Sequence, residues 1–263
     1  MSNIVMVFSP HPDDAEIFAG GTLAKMIQEG VQAYIVIVTD GRVGSFEYDS
    51  QSLVSIRSEE ARQAARVLGA EPPIFLNHPD MELDLLPPGL LREQFIRLIR
   101  QYKPDIVIAQ DAFINYEVHP DHRAVVWAVS DAVNSATLPL VHPEHLYEGL
   151  QTHFVKEKYF YTEQIDKSDK IVDITQTISL KLAALAEHKS QMKFLLEDIL
   201  VQVHAAGIDA KAIAGDVLND PAAAVGWALQ IQAAQAGLKI NAQFGEAFRY
   251  IRFHPFIEGL IKA

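Results

Sequence analysis

The chain has 263 residues, a formal charge of −12, 49% hydrophobic and 21% charged residues, and no cysteine. That is enough chain for one large buried core, and an acidic balance of this size argues against a surface that tracks phosphates, so nucleic acid is excluded as a main partner. Without cysteine there is no disulfide and no thiolate nucleophile, and any metal must be held by His, Asp or Glu.

Ile4 to Phe8 is a continuous apolar run that stops at Ser9-Pro10-His11-Pro12, the pattern of a strand buried on both faces. Gly20 to Gly30 reads as a helix closed by glycine, and Tyr34 to Val38 as a second buried strand ending at Thr39-Asp40-Gly41. Ala61, Ala64, Ala65 and Leu68 recur at helical spacing, with Gly69 as the stop. Ile74 to Leu76 is a third strand. Leu91, Phe95, Leu98, Ile99 and Tyr102 mark a helix that ends at Lys103-Pro104, and Ile106 to Ala109 is a fourth strand. Val125, Val126, Val129 and Val133 share one face of a helix that begins near Pro120, a residue suited to a first turn. A strand at Lys158 to Thr162 and a helix from Thr175 to Met192 extend the series.

Strands separated by helices predict parallel pairing with right-handed crossovers: an α/β fold with a Rossmann-like, doubly wound, mostly parallel sheet and a C-terminal helical extension. Residues 1–194 are expected to form this core. Residues 195–243 are Ala-rich and read as a helical insertion or cap, broken at Asn219-Asp220-Pro221, and 244–263 return to the core. The N-terminus lacks the basic segment of a leader, and no run reaches the roughly 18 apolar residues that span a bilayer. The expectation is a cytoplasmic protein with no membrane partner.

Chemistry concentrates in two tetrads, His11-Pro12-Asp13-Asp14 after the first strand and His119-Pro120-Asp121-His122 after the fourth. In an open α/β sheet, ligands bind beyond the carboxyl ends of the strands where the strand order reverses. With the order 3-2-1-4, strands one and four are neighbours there, and both tetrads face one crevice. Together they supply three histidines and three aspartates. A catalytic zinc takes about three protein ligands and keeps a position for water, whose pKa it lowers to about 7. One carboxylate must stay off the metal to accept the water proton, and a histidine can stabilise the oxyanion and protonate a leaving amine. Spacing does not separate Asp13 from Asp14 in these roles.

A His-Pro-Asp tetrad is also a good turn, because Pro sets φ and Asp bonds its own backbone. For one tetrad alone the turn reading is favoured; two at adjacent strand ends reverse that preference. His78-Pro79-Asp80-Met81 lacks a ligand at its fourth position, and His142-Pro143-Glu144-His145 has no strand leading into it. A nucleotide-binding reading fails on the first turn, which carries two carboxylates where G-x-G-x-x-G would be needed.

The strings PHPDDAEIFAGGTLAKMIQEG, TDGRVGS, IRSEEARQAARVLGA, YEVHPDHRAV, IVDIT, KLAALAEHKSQ and FGEAFR occur in that order. This ordered set resembles the LmbE-like, or PIG-L, superfamily of zinc-dependent sugar deacetylases, which includes the GlcNAc-phosphatidylinositol de-N-acetylases and the sugar deacetylases of mycothiol and bacillithiol synthesis. TDGRVGS, the stretch around His119 and FGEAFR look most like the diacetylchitobiose deacetylases of chitin catabolism. The resemblance implies His11, Asp14 and His122 as zinc ligands, with Fe²⁺ or Co²⁺ suiting the same set. It implies Asp13 as general base, His119 as the group that stabilises the oxyanion and protonates the amine, and Asp121 as the residue that orients His119. Arg57, Asp80 and Tyr116 are expected at the sugar. His188 is expected to be structural, and His254 a surface or packing residue. The implied reaction removes the N-acetyl group of a GlcNAc unit. The substrate would be N,N′-diacetylchitobiose or a short chitooligosaccharide, with a GlcNAc conjugate as the alternative. A homo-oligomer is compatible with the resemblance.

Overall fold

The structure, a computed structural model, describes residues 3–115, 117–253 and 255–262. Seven strands form one sheet among these residues: β1 (Ile4–Ser9), β2 (Gln32–Thr39), β3 (Ile74–His78), β4 (Ile106–Gln110), β5 (Glu157–Tyr161), β6 (Lys170–Asp173) and β7 (Gly245–Ile251). Their spatial order is β3-β2-β1-β4-β5-β7-β6. The expected order 3-2-1-4 is present, and β1 to β5 run parallel. β7 runs against both of its neighbours, β5 and β6. Neither β6 nor β7 follows from the strand–helix alternation, because β6 has only four residues and β7 interrupts its apolar run with Glu246 and Arg249.

The helices are α1 (Asp14–Gln28), α2 (Ser50–Leu68), α3 (Leu90–Tyr102), α4 (Pro120–Ser135), α5 (Glu144–Tyr147), α6 (Ile178–Leu185), α7 (Lys189–Ala205), α8 (Ala210–Ala214), α9 (Pro221–Leu238) and α10 (Pro255–Lys262). β1 explains its own apolar run. Val5 and Val7 pack among α1 and α2 on one face, while Met6 and Phe8 pack among α3 and α4 on the other. With both faces covered, every position from Val5 to Phe8 gains from being apolar, at about 1.5–3 kcal/mol per large side chain buried.

The expected helix start at Gly20 is six residues late: α1 begins at Asp14. Its first turn buries Asp14 and Glu16, so the apolar periodicity that marks a helix is missing where the helix begins. Gly20 and Gly21 lie in mid-helix. A Cβ on Gly21 would stand 2.8 Å from Ile174, so glycine is needed for close approach. The N–H groups of Gly21 and Thr22 donate to Glu246 at 3.0 and 2.7 Å, and Lys181 Nζ donates to the same carboxylate at 2.6 Å. That buried cluster ties α1 and α6 to β7.

The single helix expected from Thr175 to Met192 is two helices, α6 and α7, separated at residues 186–188, with buried His188 at the N-cap of α7. α7 runs unbroken across residue 195, so the Ala-rich region begins inside a helix that leaves the core. It folds back through α9, whose start at Pro221 is capped by Asp220 accepting from the N–H groups of Ala222 and Ala223. Leu196 and Val225 then pack on Leu185 and Met192. No helix among the described residues is long and apolar enough to cross a membrane.

Candidate active site

Both tetrads sit at the carboxyl ends of β1 and β4, which are hydrogen-bonded neighbours. After β1, the Ser9 hydroxyl donates to the His11 carbonyl at 2.8 Å and accepts from the Ala15 N–H at 3.1 Å. The His11 N–H donates to Asp14 Oδ2 at 2.7 Å. This tight turn forces Asp13, the residue before α1, to φ 122° and ψ −28°, a conformation that costs a non-glycine residue about 1–3 kcal/mol and is typically kept where geometry matters more than strain. After β4, His119 caps α4: its Nδ1 accepts from the Asp121 N–H at 3.3 Å.

Three donor atoms meet in the crevice. His11 Nδ1 lies 3.2 Å from His122 Nε2 and 3.3 Å from Asp14 Oδ2, and His122 Nε2 lies 3.5 Å from Asp14 Oδ2. Tetrahedral ligands at about 2.0–2.2 Å from a zinc ion stand about 3.3–3.6 Å apart, so the triangle has the size a small divalent cation needs. The His119 ring is 4.6 Å from that of His11, and the ring nitrogens of His11, His119 and His122 fall within 4.8 Å of one another.

The far side of each histidine is also specified. His11 Nε2 faces Asp80 Oδ1 at 3.1 Å and Asp121 Oδ2 at 3.4 Å, while His122 Nδ1 faces Gln110 Oε1 at 2.9 Å and Glu117 Oε2 at 3.5 Å. Acceptors behind the outer nitrogens favour a proton there and would leave the inner nitrogens to ligate a cation, the arrangement found behind metal-bound imidazoles. Burial opposes charge on both histidines, yet the carboxylates around them raise both pKa values above the ordinary one. Burial likewise opposes charge on Asp14, but His122 and His11 hold its carboxyl well below the usual range. A cage this rich in carboxylate calls for positive charge at its centre. The donor set fits a divalent cation.

Asp13 stands apart from the triangle. It is 4% exposed, and burial pushes its carboxyl up to about 7, with Arg57 acting against the rise and Asp14 adding to it. Arg57 Nη2 donates to Asp13 Oδ1 at 3.0 Å and to the Pro12 carbonyl at 2.8 Å, and its Nη1 donates to the Gly41 carbonyl at 3.0 Å. Burial, then the charges of His11 and His122, lower the pKa of His119. With Nδ1 accepting, its neutral ring carries the proton on Nε2.

Asp121 reaches His119 through its backbone N–H; its carboxylate instead accepts from the N–H groups of Met81 and Leu83, at 2.6 and 3.1 Å. Asp80, expected at the sugar, is buried and bonded to His11 and to the Val43 N–H at 3.2 Å. Arg57, also expected there, is 2% exposed and bonded to Asp13 and two carbonyls. Tyr116 and His254 lie outside the described residues. His188 is buried with Nε2 3.6 Å from Glu16. The fourth tetrad is a separate structural device in which His145 bridges Arg100 and Glu93.

Sequence reasoning passed over Gln110 and Glu117, whose one signal is their position beside the second tetrad. It also passed over the wall of the crevice. A cavity of about 410 Å³ opens above the triangle, bounded by Val43, Met81, Gln191, Phe194 and Leu195 as well as the ligand set, and Arg57 and Asp80, two of the residues expected at the sugar, also line it. Three of these come from α7, and one of them, Leu195, is the first residue of the expected helical region. Phe194 also meets the Phe46 ring at a tilt of 37°, with ring centroids 5.1 Å apart.

Residues 6–133 match the PIG-L family, described as GlcNAc-PI de-N-acetylase. The chain is 33% identical over 189 residues to the diacetylchitobiose deacetylase of Thermococcus kodakarensis, covering 71% of this chain and 69% of that one. It belongs to the PIG-L family of deacetylases. This PIG-L protein is also 28% identical over 194 residues to a probable N-acetyl-alpha-D-glucosaminyl L-malate deacetylase 2 of Bacillus anthracis, covering 71% and 80% of the two chains. Among solved structures it resembles N,N′-diacetylchitobiose deacetylase from Pyrococcus horikoshii, with a TM-score of 0.77, 29% identity, and 98% and 88% of the chains covered. Both tetrads of the PIG-L protein lie inside the matched span.

Proposed function

We propose that the protein is a zinc-dependent de-N-acetylase of GlcNAc-containing sugars, acting on N,N′-diacetylchitobiose or a short chitooligosaccharide and releasing acetate. The observation that carries this reading is the His11–Asp14–His122 triangle with Asp13 beside it, uncommitted to the triangle and raised into the range of a working base.

In this reading His11, Asp14 and His122 hold the cation. Once bound, it supplies a water acidic enough to react at neutral pH and a positive charge for the acetyl carbonyl. Asp13 accepts the proton of the attacking water, a role suited to a carboxylate whose pKa lies near the operating pH. The Nε2–H of neutral His119 donates to the carbonyl oxygen as that oxygen gains charge. The proton taken by Asp13 passes to the sugar nitrogen, the C–N bond breaks, and acetate and free amine leave. A neutral imidazole suits the oxyanion half of the role expected for His119, and Asp13 supplies the proton that leaves with the amine. Asp121 sets the His119 tautomer through its amide N–H, and Arg57 keeps Asp13 ionisable.

The apolar and aromatic walls, Val43, Met81, Phe194 and Leu195, suit the flat face of a second sugar ring. The alternative substrate, a GlcNAc conjugate such as a malate glycoside, is supported by the Bacillus relative. It would bring a carboxylate to a pocket whose Arg57 is already bonded to Asp13 and two carbonyls.

The test is acetate release by zinc-loaded protein from N,N′-diacetylchitobiose, with GlcNAc and GlcNAc-malate alongside and Asp13→Asn as control. Release from the disaccharide by the native protein alone supports the proposal. Turnover of GlcNAc-malate alone would shift the substrate to the conjugate, and bound metal with no turnover of any of the three would overturn the reading.

A further inference from the structure

A second cavity, of about 260 Å³, lies on the α3–α4 face of the sheet, away from the triangle. Its wall includes Phe113, Trp127, Lys158, Phe160 and the pair Asp111–Arg249. β5 puts Lys158 and Phe160 on the same face by strand alternation, and Phe160 packs in the α3–α4 core.

Lys158 is the unusual member. It is 6% exposed, its ammonium donates to the Arg252 carbonyl at 3.2 Å, and it sits 4.8 Å from the Phe154 ring centroid. Among the described residues no carboxylate pairs with it, and burial holds its pKa below the usual lysine range. Lysines are rarely buried without an ionic partner, because desolvating a lone charge is costly. The other charges of the wall are already paired. Arg249 Nε donates to Asp111 Oδ2 at 2.9 Å, and Arg92 faces Asp131 at 3.3 Å. Beside this cation stands an aromatic edge: Trp127 is 50% exposed and meets the ring of Phe113 at 5.5 Å in a T-shape. A cavity of this size holds about one ring with its substituents.

We propose that this cavity is a second ligand site, which binds a small molecule with a carboxylate or phosphate group on a flat ring, the anion at Lys158 Nζ and the ring against Trp127. The anion would complete the ion pair that the chain leaves open, and the indole face would supply stacking area.

The probe is phenyl phosphate, followed by tryptophan fluorescence in the Trp227→Phe background so that Trp127 alone reports. Benzoate distinguishes a carboxylate from a phosphate preference, and phenol and inorganic phosphate separate the two halves of the ligand. Saturable quenching by phenyl phosphate or benzoate is expected. Affinity should fall at least about tenfold for phenol and in Lys158→Met, the loss typical of a buried charge pair deprived of one member. Lys158→Met replaces the lysine with an apolar side chain of similar length and should leave deacetylation unchanged. Trp127→Ala, at a half-exposed helical position, provides a second variant, read by calorimetry. Absence of saturable binding in the millimolar range overturns the proposal, as does equal affinity in both variants or equal affinity for phenol.

Discussion

Arg57 and Asp13 form a buried ion pair at 3.0 Å, with side chains 3% and 5% exposed, beside the His11–Asp14–His122 triangle. The pair joins α2 to the strained turn after β1, and it makes the ionisation of Asp13 depend on a residue 44 positions away.

The first prediction concerns pH. Asp13 must be ionised to accept a proton, and its pKa is pushed up to about 7. As pH falls through that value the carboxyl gains a proton, so kcat/KM should drop about tenfold per pH unit on the acidic limb. A bound dication adds positive charge nearby and moves the limb downward, so its midpoint should lie at or below about pH 7. The measurement is kcat/KM against pH; a flat profile between about pH 5 and 8 would contradict Asp13 as the base.

Arg57→Met should move that limb to higher pH. The arginine opposes the effects of burial and of Asp14 on Asp13, and without it the carboxyl holds its proton more tightly. At pH 7 the expected loss in kcat/KM is roughly tenfold or more, smaller at pH 9, because each pKa unit is a factor of ten in ionised base. A variant with raised KM and an unmoved limb would return Arg57 to the sugar.

Asp80 separates metal support from sugar contact. Its carboxylate meets His11 Nε2 at 3.1 Å, so Asp80→Asn should weaken metal affinity by about 10–100-fold. KM at saturating metal should change little. Glu117→Gln, behind His122, should behave the same way. Chelator competition gives the metal affinity, and the opposite pattern, normal metal affinity with raised KM, would make Asp80 a substrate residue.

His122→Ala removes one corner of the triangle and should lose metal and activity together, since two ligands are too few to hold a catalytic cation against chelation. Stoichiometric metal in that variant, measured by elemental analysis after dialysis, would sink the ligand assignment.

Glu246 offers a test of stability remote from the triangle. Glu246→Ala strips the partner from buried Lys181 and from two helix N–H groups. Breaking such a pair costs about 3–5 kcal/mol. In a chain of this size that corresponds to a fall of about 10 °C in Tm, read by calorimetry.

The fold was legible where burial is uniform. β1 and β2 are covered on both faces, so their apolar runs announced them, and Gly69 marked the end of α2 because its left-handed backbone, φ 80°, favours glycine. β7 was not legible as a strand, because one face carries Glu246 into a polar cluster and the other carries Arg249 to Asp111. The start of α1 was hidden for a related reason: its first buried residues are acids. In the site, the two tetrads were legible as chemistry. The hydrogen bonds behind the histidines were not: Asp80 was expected at the sugar, yet it meets His11 69 positions away, and Gln110 and Glu117 lie near His122 without a motif to mark them.

Sequence alone thus determined the alternation of strands and helices, the glycine stops, and the presence of metal-binding residue types at two strand ends, all of which are properties of neighbouring residues. Only the tertiary structure decided which nitrogen of each histidine faces inward, which carboxylate is left free, and which helix walls the pocket. His11 owes its orientation to Asp80, 69 positions away, and meets His122 across 111. Contacts of that range exist only after the sheet has assembled and brought the loops of β1, β3 and β4 to one edge.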